Sequence, residues 1–231
     1  MPFRLLPALA ALAAACLLPA VSTAATRPSA RSVCGYAGYS YAGFQSPVTA
    51  YGVSGRLTAL TSAGVGSGHV AAWIGIGGSG MGPNGSDVWL QVGIAGYPNG
   101  RSELYYEYAT PGMTDAKYVS LGWASPGVGH DLSVQERATQ PGAWRVWLDG
   151  QRVSPPIVLP GSHGTWRPIA TAETWDGGIR GCNRYSYDFS SLAIATKLAG
   201  GWQAFPLTRL IQDPGFSVSA RASGFAASTL P

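Results

Sequence analysis

The stretch from residue 71 to 94, AAWIGIGGSGMGPNGSDVWLQVGI, constrains the fold most, because it predicts two apolar β-strands joined by a loop rich in Gly, Ser and Asn. The second strand alternates with a period of two, so four aliphatic residues share one face: Val88, Leu90, Val92 and Ile94. Trp89 and Gln91 share the other face. An uncharged amide beside an indole is either an ordinary strand glutamine or a residue that lines a cleft.

Short apolar runs separated by Gly, Pro, Ser and Asn continue along the rest of the chain. Glycine is frequent, with 32 residues, and charged residues make up only 11%. Helical periodicity is hard to find after residue 25, and the spacing of the runs is typical of an all-β sandwich or barrel. Residues 26–231 are enough for one domain with a sizeable core. We therefore predict a single β domain.

Two turn signals in the second half of the chain predict hairpins. Asp149-Gly150 follows a strand-like run, and its partner, residues 153–159, contains Pro155 and Pro156, which favours a position at a sheet edge. Asp213-Pro214-Gly215 predicts another hairpin within residues 207–227.

The first 25 residues predict a signal peptide rather than a part of the fold. Arg4 precedes an apolar run, and Ser22-Thr23-Ala24 fits the small-x-small pattern of a signal peptidase site. We therefore expect cleavage after Ala24 or Ala25 and a secreted protein without a membrane anchor. A lipoprotein with Cys16 as the lipidated residue is the alternative. No later segment is apolar for long enough to span a bilayer.

Two cysteines remain after the signal peptide, and they predict a disulfide between Cys34 and Cys182. Two unpaired thiols are the alternative. With the isolated His69, His130 and His163 they form no metal site of recognised spacing, so we expect neither metal nor cofactor. The net charge is +4, but Lys and Arg are scattered singly, which does not favour a nucleic-acid partner. We expect a monomer.

Two acidic residues stand in strand-like, apolar surroundings, whereas common catalytic motifs such as G-x-S-x-G or H-E-x-x-H are absent from the sequence. Glu107 shares a strand face with Tyr105, and Glu173 shares one with Trp175. A carboxyl group in a partly dry aromatic site has its charged form disfavoured, which suits it to proton transfer. Solvated strand carboxylates are the alternative.

Four short segments, taken in order, resemble the glutamic endopeptidases of the eqolisin type. That family has W-[VI]-G-I-D-G, then L-Q-[TV]-G, W-Y-E-W-Y and A-E-W-I. The counterparts here are Trp73-Ile74-Gly75-Ile76-Gly77-Gly78, Leu90-Gln91-Val92-Gly93, Tyr105-Tyr106-Glu107-Tyr108 and Ala172-Glu173-Thr174-Trp175. A weaker match around Tyr36 precedes them, so the resemblance covers nearly all of residues 26–231.

The resemblance implies a concanavalin A-like β-sandwich of two bent antiparallel sheets with a concave cleft. It also implies a polypeptide substrate and a catalytic pair made of Gln91 and Glu173. In that mechanism the Glu takes a proton from the attacking water, and the Gln amide donates a hydrogen bond to the oxyanion. Trp73, Tyr105 and Glu107 match residues that line the family's cleft, and Tyr36 lies at its N-terminal end.

The sequence departs from the family at several motif positions, and the aromatic residues around Glu107 are Tyr105 and Tyr108 rather than Trp. Gly77 stands where the family has an aspartate, which removes an acid from the cleft, and Thr174 replaces the Trp after the catalytic Glu. With one acid fewer, the pH optimum would differ from the family's.

Two other functions remain open on the sequence alone. A non-catalytic, lectin-like β-sandwich would present its aromatic residues to a carbohydrate or a protein, and here they would be Trp73, Trp89, Tyr105 and Trp175. A glycoside hydrolase would use Glu107 with Glu173 as its carboxylate pair.

Overall fold

The computed structural model describes residues 38–175 and 182–230. The predicted signal peptide, Tyr36 and Cys34 therefore lie outside the described residues. The signal peptide, the cleft role of Tyr36 and the disulfide from Cys34 to Cys182 stay predictions. Within the described ranges, no helix is long and apolar enough to cross a membrane.

One antiparallel sheet, sheet A, has seven strands. They are β1 (Tyr39–Gln45), β4 (His69–Gly78), β5 (Val88–Gly96), β6 (Ser102–Ala109), β7 (Lys117–Ala124), β12 (Ile169–Trp175) and β16 (Arg209–Gln212). Their order across the sheet is β16-β1-β12-β4-β5-β6-β7. The late strand β12 thus lies between two early strands, β1 and β4.

The second sheet, sheet B, has nine antiparallel strands. They are β2 (Gly52–Ala59), β8 (Gly129–Glu136), β9 (Ala143–Leu148), β10 (Gln151–Arg152), β11 (Ile157–Val158), β14 (Ser186–Lys197), β15 (Gly200–Ala204), β17 (Phe216–Arg221) and β18 (Gly224–Thr229). The short β3 (Gly64–Val65) and β13 (Asn183–Arg184) form a separate pair.

The core lies between the two sheets, as the alternation in the strands predicts. Leu90 and Val92 of sheet A and Leu57 of sheet B are fully buried in one apolar cluster. Phe189 and Phe225 of sheet B stack there with their ring centroids 4.3 Å apart. Such residues each contribute about 1.5–3 kcal/mol by leaving water. The predicted all-β sandwich is therefore confirmed.

The hairpin at Asp149-Gly150 is also confirmed. Asp149 has φ 48° and Gly150 has φ 77°, the positive pair that a tight two-residue hairpin turn requires. The returning chain pairs with β9 in two short pieces, β10 and β11, on the edge away from β8. Pro155 and Pro156 lie between these pieces, because proline cannot donate a ladder hydrogen bond.

The predicted hairpin at Asp213-Pro214-Gly215 is wrong. The strand before it, β16, pairs with β1 of sheet A, whereas the strand after it, β17, pairs with β18 of sheet B. The segment crosses from one sheet to the other. Asp213 fixes this crossing, since its Oδ2 accepts the Tyr41 backbone N–H at 2.7 Å and its own N–H donates to the Tyr41 carbonyl at 2.9 Å.

Candidate active site on the outer face of sheet A

The side of sheet A that faces away from the core carries most of the candidate residues. Strand alternation places Ala42, Ala72, Leu90 and Leu104 in the core, so their neighbours in each strand point the other way. We call this outward side the site face. Its polar and aromatic members include Tyr39, Tyr41, His69, Trp73, Gln91, Tyr105, Glu107, Tyr118, Glu173 and Trp175.

The strand register sets the neighbours on the site face. Gln91 lies beside Glu107 on one side and Gly75 on the other. In the next row, Gly93 separates Trp73 from Tyr105. A Cβ on Gly93 would lie 2.7 Å from the Trp73 Cβ, closer than real Cβ contacts. It would also lie 2.0 Å from the Ala72 carbonyl oxygen, so glycine at this position lets β4 and β5 pair closely beside Trp73.

Glu173 is a buried carboxylate with a specific donor. Only 6% of the residue is exposed. Its Oε2 accepts a hydrogen bond from Trp73 Nε1 at 2.8 Å, and its Oε1 lies 3.6 Å from His69 Nε2. Hydrogen bonds to a charged acceptor are stronger than neutral ones, so the indole holds the carboxylate in one orientation.

Gln91 is held by the neighbouring strand, β6. The residue is 8% exposed, and its Nε2 donates to Glu107 Oε2 at 3.0 Å and to Tyr105 Oη at 3.2 Å. The side-chain amide is thus an oriented donor within a row of the site face.

Glu107 and Glu173 interact electrostatically. Burial raises the pKa of Glu107, the charge of Glu173 raises it further, and His69 opposes the shift. The pKa of Tyr105 is also raised, first by burial and then by the charges of Glu173 and Glu107. The face thus concentrates negative charge at a site partly shielded from water.

Aromatic rings surround the carboxylates. His69 stacks on Trp175 with the centroids 5.7 Å apart, and the Tyr39 ring approaches it edge-on at 6.2 Å. On the other side of the face, Tyr105 stacks on Tyr118 at 4.9 Å. Tyr39 and Trp175 are 54% and 37% exposed, so this aromatic group includes rings open to a ligand.

The structure brings most of the predicted site residues onto one surface. Gln91, Glu173, Trp73, Tyr105, Glu107 and Trp175 all lie on the site face. Trp89 lies on the same side of β5 but two residues nearer the loop, opposite Gly77 and Ala109.

Sequence reasoning missed four members of the site face: Tyr39, Tyr41, His69 and Tyr118. His69 could have been found, because in HVAAW it is four residues before Trp73 and therefore on its face. Tyr41 could not, since its register partner is Glu173, 132 positions further along the chain.

The backbone conformation and the close neighbours at position 77 both favour glycine. Its φ of +86° lies in the region that favours glycine, and a Cβ there would approach the Val88 carbonyl oxygen to 2.3 Å. The position where the eqolisin motif has an aspartate therefore cannot carry a side chain without a local shift.

In residues 38–175 and 182–230, no group of three or more His, Cys, Asp or Glu residues could hold a metal ion. The arrangement instead combines a buried carboxylate, an oriented amide and aromatic rings. It can accept a proton at Glu173 and donate a hydrogen bond from Gln91.

Comparisons of the whole fold give related structures. The chain superimposes on two structures of scytalido-glutamic peptidase bound to transition-state analogues, with TM-scores of 0.58 and 0.59 and identities of 18% and 15%. These matches cover 83% and 84% of this chain and 98% and 100% of the peptidase chains. The fold is that of the glutamic peptidases.

A third match is SCP-B, a member of the eqolisin family, in complex with the tripeptide Ala-Ile-His. Its TM-score is 0.55 at 17% identity, over 84% of this chain and 98% of that one. No family model matches the sequence, and no curated protein matches it significantly. At these identities the likeness shows a shared fold, and the activity has to be argued from the site.

Proposed function

We propose that this protein is a secreted endopeptidase of the glutamic type that hydrolyses polypeptides, with Glu173 and Gln91 as its catalytic pair. One observation carries the proposal. The buried Glu173 carboxylate and the buried Gln91 amide lie on the same outward face, on the two strands that flank β4, in a fold shared with glutamic peptidases. Their register partners on β4, Ala71 and Gly75, are four residues apart, and the Trp73 side chain lies between these two rows.

Glu173 acts as the general base. It removes a proton from a water molecule while the water oxygen bonds to the scissile carbonyl carbon, which leaves a tetrahedral oxyanion. As the C–N bond breaks, the same proton passes from Glu173 to the leaving amine. The Trp73 hydrogen bond occupies only Oε2, which leaves Oε1 to accept the proton.

Gln91 stabilises the oxyanion. An amide carries two N–H donors and does not titrate, so it donates whatever the pH. Without substrate both N–H groups are used, by Glu107 and by the Tyr105 hydroxyl. The oxyanion replaces the Tyr105 hydroxyl as acceptor, while the bond to Glu107 keeps the amide oriented.

His69 acts as a positioning residue. Its imidazole lies 3.6 Å from Glu173 Oε1 and is wedged against Trp175. It restricts the carboxylate on the side that the indole of Trp73 leaves open.

The proposal is tested by cleavage of a denatured protein from strongly acidic to mildly alkaline pH. Glu173→Gln and Gln91→Ala should each lower kcat/KM by about 10²- to 10³-fold, because each removes a group that acts in the transition state. Asp131→Asn and Gln203→Ala, which change exposed residues of sheet B, are the matched controls. Full activity in Glu173→Gln would exclude this mechanism.

A binding module is the second candidate, favoured by the exposed rings of Tyr39 and Trp175. Under this alternative the protein cleaves nothing at any pH but is retained on a polysaccharide column. Substitution of Trp175 by Ala would then reduce retention, whereas Glu173→Gln would not.

A further inference from the structure

Three arginines, Arg137, Arg145 and Arg152, lie together on the outer face of sheet B. In the sequence they are seven or eight positions apart and form no charged run. Arg145 is opposite Gln135 in the register, and Arg152 is opposite Trp147. The Arg137 N–H donates to the Ala143 carbonyl, two residues before Arg145. Alternation therefore points all three arginines away from the core, along about 14 Å of strand.

These arginines have no acidic partner among the described residues. The arginine ion pairs there are Arg56 with Asp131 and Arg221 with Asp188. The Arg137 guanidinium donates only to the neutral Gln140 side chain. A group of like charges without a counter-ion is an unfavourable arrangement that a bound anion would relieve.

Arg145 is the least satisfied member. Its Nε is buried and has no hydrogen-bond partner, and native structures leave few buried donors in that state. Desolvation, together with the charges of Arg152 and Arg137, lowers the pKa of the guanidinium.

A pocket of about 290 Å³ opens at this point. It is bordered by Gln135, Arg137, Thr139, Arg145, Trp147 and Ala199. Glu136 also borders it, but alternation turns this side chain toward the core. Its Oε1 there accepts the Gly142 N–H and contacts His163 Nδ1 at 2.8 Å. The carboxylate thus lies on the other side of the strand, where Oε1 has two partners and Oε2 is buried without one.

We propose that this pocket binds a doubly charged oxyanion, namely a sulfate or phosphate group. Guanidinium groups donate in a fixed fork that matches two oxygens of such a group, and Gln135 adds a neutral donor. Trp147 provides a ring face beside the anion, suited to the sugar of a sulfated or phosphorylated saccharide. The site lies on the opposite sheet from Glu173 and does not depend on the peptidase proposal.

The test is a calorimetric titration with sodium sulfate, in which NaCl keeps the ionic strength constant. The unmodified protein should bind sulfate with one site, and Arg145→Gln and Arg137→Gln, which change the two arginines that border the pocket, should each weaken binding at least tenfold. Arg209→Gln removes the same charge from an exposed position of sheet A and should leave the affinity unchanged. Two positions are tested because Arg145 is partly packed, and circular dichroism would check that each variant is folded.

A second arm separates the possible sources of the anion. Inorganic phosphate and a sulfated disaccharide are titrated beside sulfate, with acetate as the singly charged comparison. Tighter binding of the disaccharide, lost in a Trp147→Ala variant, supports a saccharide source, and equal binding supports the free ion. Equal affinity for acetate, or equal weakening by Arg209→Gln, would overturn the proposal.

Discussion

The outer faces of the two sheets handle charge in opposite ways. On sheet A, Glu173 is buried and accepts a hydrogen bond from Trp73, and Glu107 accepts one from Gln91. On sheet B, Arg145 keeps a buried N–H without any partner. The first face is therefore internally satisfied and held in a fixed geometry, as a catalytic group requires. The second is incomplete without a ligand, which is typical of a binding site.

The largest expected effect comes from placing an acid at position 77 of sheet A. Gly77→Asp should lower the free energy of unfolding by about 3 kcal/mol, from the left-handed backbone and the contact with Val88, and Tm by about 6–12 °C. Thermal unfolding measures it. Gly78→Ala is the matched control, since its Cβ would meet only the flexible Met81 side chain, and should change stability by less than about 1 kcal/mol. Equal Tm values for both variants would contradict the strain argument.

The next effect tests the donor that fixes Glu173. Trp73→Phe keeps the aromatic ring but removes Nε1–H, and should lower kcat/KM about 10- to 100-fold, because a hydrogen bond to a charged group contributes about 1.5–3 kcal/mol. Peptide cleavage at saturating and limiting substrate separates kcat from KM. Trp202→Phe, on an exposed strand of sheet B, should be indistinguishable from the native chain. An unchanged kcat in Trp73→Phe would show that the indole does not position the base.

A smaller effect is expected at His69. This imidazole is partly exposed and 3.6 Å from Glu173 Oε1, so the contact is worth about 1 kcal/mol or less. His69→Gln should lower kcat no more than about fivefold. His130→Gln provides the comparison, because His130 makes a similar contact with Asp149 at 2.8 Å on sheet B. A hundredfold loss in His69→Gln would instead indicate that the imidazole itself transfers protons.

The smallest effect is the pH dependence of stability at Glu107. Its pKa is raised in the fold by burial and by Glu173, so the folded chain holds the proton more tightly than the unfolded chain. The carboxyl group's contribution to stability is then complete at low pH. It is lost as the pH rises above the ordinary pKa of a glutamate and through the raised pKa of the folded state. Glu107→Gln should therefore gain Tm relative to the native chain between pH 4 and pH 7.

The pH dependence of stability is expected to have the opposite sign at Asp87. The Ser79 hydroxyl and the Gly80 N–H donate to its carboxylate and lower its pKa, so Asp87 stabilises the fold at neutral pH. Asp87→Asn should lose Tm over the interval in which Glu107→Gln gains it. Parallel pH profiles for both variants and the native chain would rule out both assignments.

Alternation in the sequence was enough to predict which residues share a face. It placed Gln91 with Trp89, and Glu173 with Trp175, before any pairing was known, and the β-sandwich followed from the short apolar runs. The motif order added the likeness to glutamic peptidases, and the structure comparisons support it at the level of the fold.

Pairing between distant strands could not be predicted in the same way. A local pattern does not specify that β12 lies beside β1, so the contact between Tyr41 and the Glu173 row was missed. The turn at Asp213 was recognised, but its direction depends on hydrogen bonds to Tyr41 rather than on turn residues. Arg145 and Arg152 seemed isolated because only the β9–β10 pairing brings them together.

The position of β12 between β1 and β4 also has a kinetic consequence. Gln91 and Glu107 lie on adjacent strands joined by a short loop, so their part of the site forms from local contacts. Glu173 reaches its place only when a segment about 100 residues from β4 closes a long loop, and such contacts form slowly. During refolding, the amide should therefore be in position well before the carboxylate, and peptide cleavage should return only with the final insertion of β12.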